Sequence, residues 1–184
     1  MAAPPPRPLY LTNHLSLLQT FSSSLTVATH EILYQRGIYP VSTFITARAY
    51  NFPIHQSRHP AVCAWITSAV SSVQTQLAKG IVRRVAVVIY NPNCQVLERF
   101  MFDVERFPVV VREEQLTTFE SREEEGQEMR GVSVSDIEEQ LRATVRKLAY
   151  CGEKLGELPE DCTFTICVEL KEEAEVPIGV SSLE

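Results

Sequence analysis

The residues of this sequence that could carry chemistry do not assemble into an obvious site. His55, His59 and Cys63 follow one another at intervals of four residues, which is compatible with metal-ligand spacing. However, His55 belongs to a proline-broken stretch, and no fourth ligand lies within reach along the sequence. Ordinary roles in a loop and at the start of a helix are therefore favoured over a zinc site.

The other candidates for catalysis also lack a positioned partner. Glu123 and Glu125 lie in a highly charged stretch where nothing would desolvate or orient them. Cys94 follows a turn signal without a neighbouring base, and a structural role is favoured for His30 on a predicted helix. No phosphate-binding loop, GxGxxG or GxSxG motif occurs. The sequence therefore predicts a protein without an active site, a metal site or a cofactor.

Composition indicates one domain with its own core. The chain has 184 residues, of which 45% are hydrophobic, and no run approaches the ~18 apolar residues of a membrane span. The N-terminus, MAAPPPRPLYL, lacks the pattern of a secretory signal and is predicted to be a disordered lead over residues 1–12. The five cysteines contain no CxxC pair, which favours a reduced compartment inside the cell. The net charge of −6 argues against direct binding to nucleic acid.

The first predicted helix spans about Asn13 to Arg36. Its apolar residues recur at alternating steps of three and four, and Asn13 is a plausible N-cap. Gly37 and Pro40 end it, since glycine adopts the left-handed conformation and proline cannot continue a helix.

Two further helices follow from the same periodicity. The second begins at Pro60 and ends at Gly80, with Trp65, the only tryptophan, one step off its apolar stripe. The third begins at a capping box formed by Ser135 and Glu138.

The strands are predicted from apolar runs and alternation. Ser42–Ile54, which Pro53 breaks, is interpreted as an irregular arm or a short edge strand. Val82–Tyr90 and Val96–Val104 form a hairpin, the first strand buried on both faces and the second with one core face and one mixed face. Cys162–Leu170 alternates as a strand with one buried face. This order of elements favours an α+β fold, with helices on an antiparallel sheet.

The last strand offers the clearest binding surface. No recognisable strand follows Cys162–Leu170, and an open sheet edge is a hazard unless something pairs with it. A partner peptide added as an extra strand would cover the edge. Alternatively, the acidic residues of Glu169–Glu175 discourage pairing by charge alone, and the residues do not decide between the two.

Several motifs resemble those of the HORMA-domain family. Leu33–Pro40, LYQRGIYP, resembles the signature at the end of the first HORMA helix, and VLERFMFDV resembles a strand of the family's hairpin. Four short motifs, YNFPI, HP, EQLRA and CTFT, are similar to the branch that serves as the accessory subunit of DNA polymerase zeta. The resemblance implies a HORMA domain over residues 13–178, with an acidic loop insertion at 112–131.

The resemblance also implies a function without catalysis. The protein would clamp a segment of the catalytic subunit of DNA polymerase zeta and bridge it to an inserter polymerase during translesion synthesis, in the nucleus and also in the cytoplasm. Family members further form HORMA–HORMA dimers, and Arg142 matches the arginine at that surface. The peptide would lie along the last strand, with six residues implied in its binding: Trp65, Tyr39, Phe164, Ile166, Cys167 and Val168.

The sequence departs from the family at its C-terminus. The family continues for tens of residues beyond Pro177 with a "safety belt" that wraps over the peptide, whereas residues 179–184 here are expected to be a truncated or divergent tail. A peptide without this cover would dissociate more readily. Three alternatives remain: a spindle-checkpoint adaptor that binds a cell-cycle activator, a small intracellular enzyme dependent on His55, His59 or Cys63, and an incomplete, non-functional product.

Overall fold

Helices cover one face of a three-stranded antiparallel sheet, and a separate two-stranded hairpin packs against the first helix. The computed structural model describes residues 13–108 and 134–172. The predicted α+β class, with three long helices on an antiparallel sheet, is confirmed. The elements are α1 (His14–Gln35), β1 (Phe44–Ala49), β2 (Phe52–Ser57), α2 (Pro60–Ala78), β3 (Val82–Tyr90), β4 (Val96–Asp103), α3 (Val134–Ala149), α4 (Cys151–Lys154) and β5 (Thr163–Leu170).

Helix α1 is closed at both ends by local hydrogen bonds. Asn13 accepts from the backbone N–H of Ser16 at 2.9 Å, and the Ser16 hydroxyl accepts in return from the N–H of Asn13 at 3.3 Å, which confirms the predicted cap. At the other end Gly37 has a φ of 62°. The N–H of Ile38 donates to the carbonyl of Leu33, which completes a Schellman motif and ends the helix where the sequence predicted.

Helix α2 also follows its sequence signals. Pro60 occupies the first turn, and Gly80, with a φ of 72°, follows the C-cap. Its buried face, formed by Ile66, Val70, Val73 and Leu77, joins the core.

The main sheet has the order β4-β3-β5, with β3 paired antiparallel to both neighbours. Val85, Val87 and Ile89 of β3 face the helices and are fully buried. They belong to a core cluster that also contains Leu18, Leu25 and Ile32 of α1. The buried central strand and the mixed outer face of β4 are as the sequence predicted.

The stretch predicted as an irregular arm is instead a regular hairpin. β1 and β2 pair in register from Phe44 opposite Ser57 to Ala49 opposite Phe52. Pro53 is tolerated because each strand of a two-stranded sheet has one unpaired edge, where a missing N–H breaks no ladder bond. Tyr50 and Asn51 make the turn with φ values of 50° and 57°.

Several predicted segments lie outside the described residues: the lead at 1–12, the charged insertion at 112–131 and the tail at 179–184. None of the helices described over 13–108 and 134–172 combines the length and apolar character needed to cross a bilayer.

Candidate functional site

The outer edge of β5 is the centre of the candidate site. β5 pairs with β3 on one side only, and no other strand among the described residues pairs with its second side. The outward backbone N–H and C=O groups of such a strand form a template for another extended chain.

Trp65 lies beside this strand. Its ring packs against Phe164 of β5 edge to face, with ring centroids 4.9 Å apart and planes at 75°. Phe164 is 8% exposed, whereas Trp65 is 43% exposed. The open part of the indole can therefore contact a chain that lies along β5, while Phe164 fixes the orientation of the ring.

The β5 residues of the predicted site divide between the two faces of the sheet. Phe164, Ile166 and Val168 lie opposite Ile89, Val87 and Val85 and belong to the helix-facing side, with Trp65. Cys167 lies opposite Ala86 on the other side. Burial raises the pKa of the Cys167 thiol, and the nearby Arg99 partly offsets this, so the site offers a neutral thiol there.

Tyr39 follows α1 and is half-buried against the core cluster. Burial raises the pKa of its phenol. Among the described residues, the aromatic ring of Trp65 contacts that of Phe164 and not that of Tyr39. The structure therefore does not place the rings of Tyr39 and Trp65 in direct contact.

Arg142, which the resemblance places at a dimer surface, is exposed on α3. Its Nε donates to the carbonyl of Tyr50 at 3.0 Å, so the hairpin turn between β1 and β2 is part of the same surface. Burial, and then the nearby Glu138, raise the pKa of Tyr50, whose phenol stays neutral beside this arginine.

The spacing of His55, His59 and Cys63 does not correspond to a metal centre. His55 stacks on Tyr34 at a centroid distance of 3.4 Å. Cys63 donates through its thiol to the carbonyl of Ser57 at 3.1 Å. Within 13–108 and 134–172, no group of three His, Cys, Asp or Glu residues is arranged to hold a metal ion.

A buried carboxylate that sequence reasoning missed holds the hairpin to α1. Glu31 is fully buried and accepts from the backbone N–H of His55 at 2.7 Å and from the Gln35 amide at 2.8 Å. The His55 ring nitrogen Nδ1 lies 3.3 Å from both carboxylate oxygens. A glutamate within the apolar stretch before LYQRGIYP is the only signal in the sequence that could have indicated this contact.

Comparison with solved structures finds the same fold. The protein superposes on C. elegans HTP-2 bound to the HIM-3 closure motif with a TM-score of 0.66, at 12% sequence identity, over 95% of this chain and 78% of that one. At this identity the likeness concerns the fold.

Two relatives are similar in sequence over most of this chain. One is the mitotic spindle assembly checkpoint protein MAD2B of Gallus gallus, 32% identical over 154 residues, which are 83% of this chain and 65% of that protein. The other is the DNA polymerase zeta processivity subunit of Schizosaccharomyces pombe, 32% identical over 158 residues, covering 84% and 69% of the two chains. The chain thus spans about two thirds of the length of these relatives.

The HORMA domain family model matches residues 17–180, which include most of α1, both sheets, α2, α3 and the β5 edge beside Trp65. The chain therefore belongs to the HORMA domain family.

Proposed function

We propose that this protein is a non-catalytic adaptor that binds an extended, proline-containing segment of the catalytic subunit of DNA polymerase zeta along β5. The observation that carries the proposal is the outer edge of β5, which no strand within 13–108 and 134–172 pairs with, beside the half-exposed ring of Trp65. Such an edge can supply main-chain hydrogen bonds to an added strand, and the flanking side chains then select its sequence.

The two faces of β5 suggest how the side chains of the bound segment are recognised. Side chains of an added strand point alternately to the two faces of the sheet. Those on the helix-facing side would contact Trp65, Phe164, Ile166 and Val168. Those on the other side would meet the neutral Cys167. Tyr39, at the end of α1, would act on the segment where it leaves the strand.

The names of the relatives support this choice of partner. The protein of Schizosaccharomyces pombe is named a processivity subunit of DNA polymerase zeta, and HTP-2 is described in complex with a closure motif. We therefore assign the protein to translesion synthesis in the nucleus, where it bridges the catalytic subunit to an inserter polymerase. A HORMA–HORMA dimer through the exposed Arg142 surface belongs to the same proposal.

A spindle-checkpoint adaptor is the second candidate. The relative of Gallus gallus is named a mitotic spindle assembly checkpoint protein. The same β5 edge would then receive a peptide from a cell-cycle activator, and the two functions differ in the sequence that is preferred.

Calorimetric titration of residues 1–184 tests the proposal and its alternative together. Proline-containing peptides of the polymerase zeta catalytic subunit should bind saturably and more tightly than a checkpoint-type peptide. Trp65→Ala should weaken binding about tenfold, because it removes an aromatic anchor worth ~1.4 kcal/mol.

Tyr150→Ala is the matched control, since Tyr150 is 47% exposed but lies between α3 and α4. It should leave the affinity unchanged. Tighter binding of the checkpoint peptide would favour the second candidate. No binding of either peptide by the folded chain would contradict both.

A further inference from the structure

The turn between β1 and β2 has an unusual sequence for its backbone conformation. Tyr50 and Asn51 are its two central residues, with φ values of 50° and 57°. A two-residue hairpin turn with a positive φ at both positions is most often built from Asn-Gly, and a bulky residue such as tyrosine rarely adopts this conformation. Backbone strain of this kind is common at functional sites. In this turn it sets the direction in which the Tyr50 carbonyl points.

The Tyr50 carbonyl accepts a hydrogen bond from Arg142 of α3. The donor is Nε, at 3.0 Å, and among the described residues this is the single hydrogen bond of the guanidinium. The guanidinium is a planar fork, so a bond at Nε sets the plane in which the two terminal nitrogens point. The turn therefore orients Arg142 and leaves its paired terminal donors available to an anion.

Glu138, one helical turn before Arg142, is the complementary group on the same surface. It is exposed, and it is close enough to Tyr50 to contribute to the raised pKa of that phenol. A glutamate and an arginine four residues apart often pair within a helix. Here neither of them forms an ion pair with any residue of 13–108 or 134–172. The surface thus presents an oriented guanidinium and a carboxylate side by side.

We infer that the Tyr50–Asn51 turn is a positioning element for Arg142, and that Arg142 binds Glu138 of a second copy. The contact rests on the proposed HORMA–HORMA dimer through the Arg142 surface. In an isologous dimer every contact occurs twice, related by the twofold axis. With the axis at Gln140, two antiparallel α3 helices place Arg142 of each copy opposite Glu138 of the other.

Charge selects this arrangement of the two helices. Parallel helices in register would place Arg142 opposite Arg142, which is repulsive, whereas the antiparallel arrangement gives two attractive pairs. Exposed ion pairs contribute little affinity one by one. Their main effect at an interface is to fix register and to exclude arrangements that bring like charges together.

The pairing uses α3 and the β1–β2 turn and involves no residue of β5. The β5 edge of each copy therefore stays free for a peptide. As a result, dimer formation and peptide binding can be measured separately in the same variant.

A mixing experiment tests the partner assigned to Arg142. Light scattering coupled to size exclusion, at ~0.1 mM protein where micromolar association is nearly complete, should give the native chain twice its mass of 20.7 kDa. Arg142→Glu and Glu138→Arg should each give the mass of one chain, because both pairs become repulsive. An equimolar mixture of the two variants should again give the dimer mass, because the acidic chain then meets the basic chain at both positions.

Two further variants complete this test. The chain that carries both Arg142→Glu and Glu138→Arg should dimerise with itself, because the double exchange restores both pairs. Arg106→Glu is the matched control. Arg106 is exposed in the segment after β4, so the same change in charge there should leave the dimer intact.

The positioning role needs variants that keep the charge. Arg142→Lys retains the cation but loses the Nε bond and the fork, and should weaken the dimer about tenfold. Asn51→Pro should weaken it similarly, because proline cannot adopt the positive φ that directs the Tyr50 carbonyl. Tyr50→Asn combined with Asn51→Gly should keep the native affinity, since this pair favours the same turn. Sedimentation equilibrium measures the three dissociation constants.

Peptide binding separates positioning from a general loss of structure. Asn51→Pro should bind the polymerase zeta peptide as the native chain does, whereas a variant that disturbs the whole fold would lose both activities. Circular dichroism of each variant confirms that it is folded.

Three results would overturn the inference, and they can be told apart. A single-chain mass for the native protein would remove the proposed dimer and this contact with it. A native dimer whose mixed variants stay single chains would show that Glu138 is not the partner. A dimer that neither Arg142→Lys nor Asn51→Pro weakens would show that the turn does not position Arg142.

Discussion

The guanidinium of Arg36, at the end of α1, binds the carboxylate of Glu98 on β4 through two hydrogen bonds, 2.9 Å from Nε and 2.7 Å from Nη2. Nη2 also donates to the carbonyl of Gly156 at 2.6 Å. The two side chains are 4% and 16% exposed. This one arginine therefore connects the first helix, the sheet and the segment after α4.

Removing Arg36 should destabilise the protein strongly. Arg36→Ala leaves Glu98 as a largely buried carboxylate without its partner, and breaking such a pair typically costs about 3–5 kcal/mol. Urea denaturation followed by circular dichroism measures this free energy of unfolding. Glu105→Ala is the control, since the Glu105–Arg83 pair is 54% and 34% exposed and separated by 3.8 Å; it should change stability by less than ~1 kcal/mol. Equal losses in the free energy of unfolding for Arg36→Ala and Glu105→Ala would contradict the role assigned to Arg36.

His30 should make the fold sensitive to mild acid. Burial lowers the pKa of His30 from its ordinary 6.5. Its Nδ1 accepts the backbone N–H of Ser57 at 3.3 Å, which requires a neutral ring nitrogen. Below pH 6.5 the unfolded chain thus binds a proton that the folded chain does not, and the stability falls as the pH drops toward the folded pKa, then levels off.

His30→Asn is expected to reduce this dependence, because the amide oxygen can accept the same N–H and does not titrate. Urea denaturation at about pH 7.5 and about pH 5.5 compares the two proteins, and the native chain should lose up to ~1.4 kcal/mol more per pH unit. The same pH dependence in both proteins would show that His30 does not contribute to it.

Gly37 should tolerate a side chain poorly because of its backbone conformation. Its φ of 62° is unfavourable for other residues, although a Cβ there would meet nothing within 4 Å. Gly37→Ala should therefore cost about 1–2 kcal/mol from the backbone alone. Gly156→Ala, which also meets nothing within 4 Å and lacks a positive φ, should have almost no effect or stabilise slightly. Thermal unfolding of both variants makes the comparison, and a larger cost at Gly156 would refute it.

Local signals were enough to predict most elements of the fold. Asn13, Pro60 and Gly80 mark ends of helices through contacts within a few residues, and these are visible in the sequence. The hairpin of β1 and β2 was not predicted, because Pro53 suggests a break in the strand. In addition, tyrosine rarely adopts the positive φ that the turn requires at position 50.

Contacts between distant residues could not be predicted in this way. Glu31 contacts His55, which lies 24 positions further along the sequence, and Arg36 contacts Glu98, which lies 62 positions further. Their burial depends on how α1 packs, which no local pattern records. The candidate site could be predicted only in part. The alternation of apolar and polar residues predicts which side chains lie on each face of β5. The contact between Trp65 and Phe164 depends on how α2 packs on the sheet, which the local sequence does not show.

Hydrogen–deuterium exchange of the chain with and without a polymerase zeta peptide tests the central claim most directly. Pairing along β5 should slow the exchange of the Thr163–Leu170 amides that point away from β3, because these groups acquire hydrogen-bond partners. The amides of β4 should exchange as before. Saturable binding of the peptide with no added protection in β5, or with protection confined to another element, would contradict the proposal that the peptide joins the sheet at this edge.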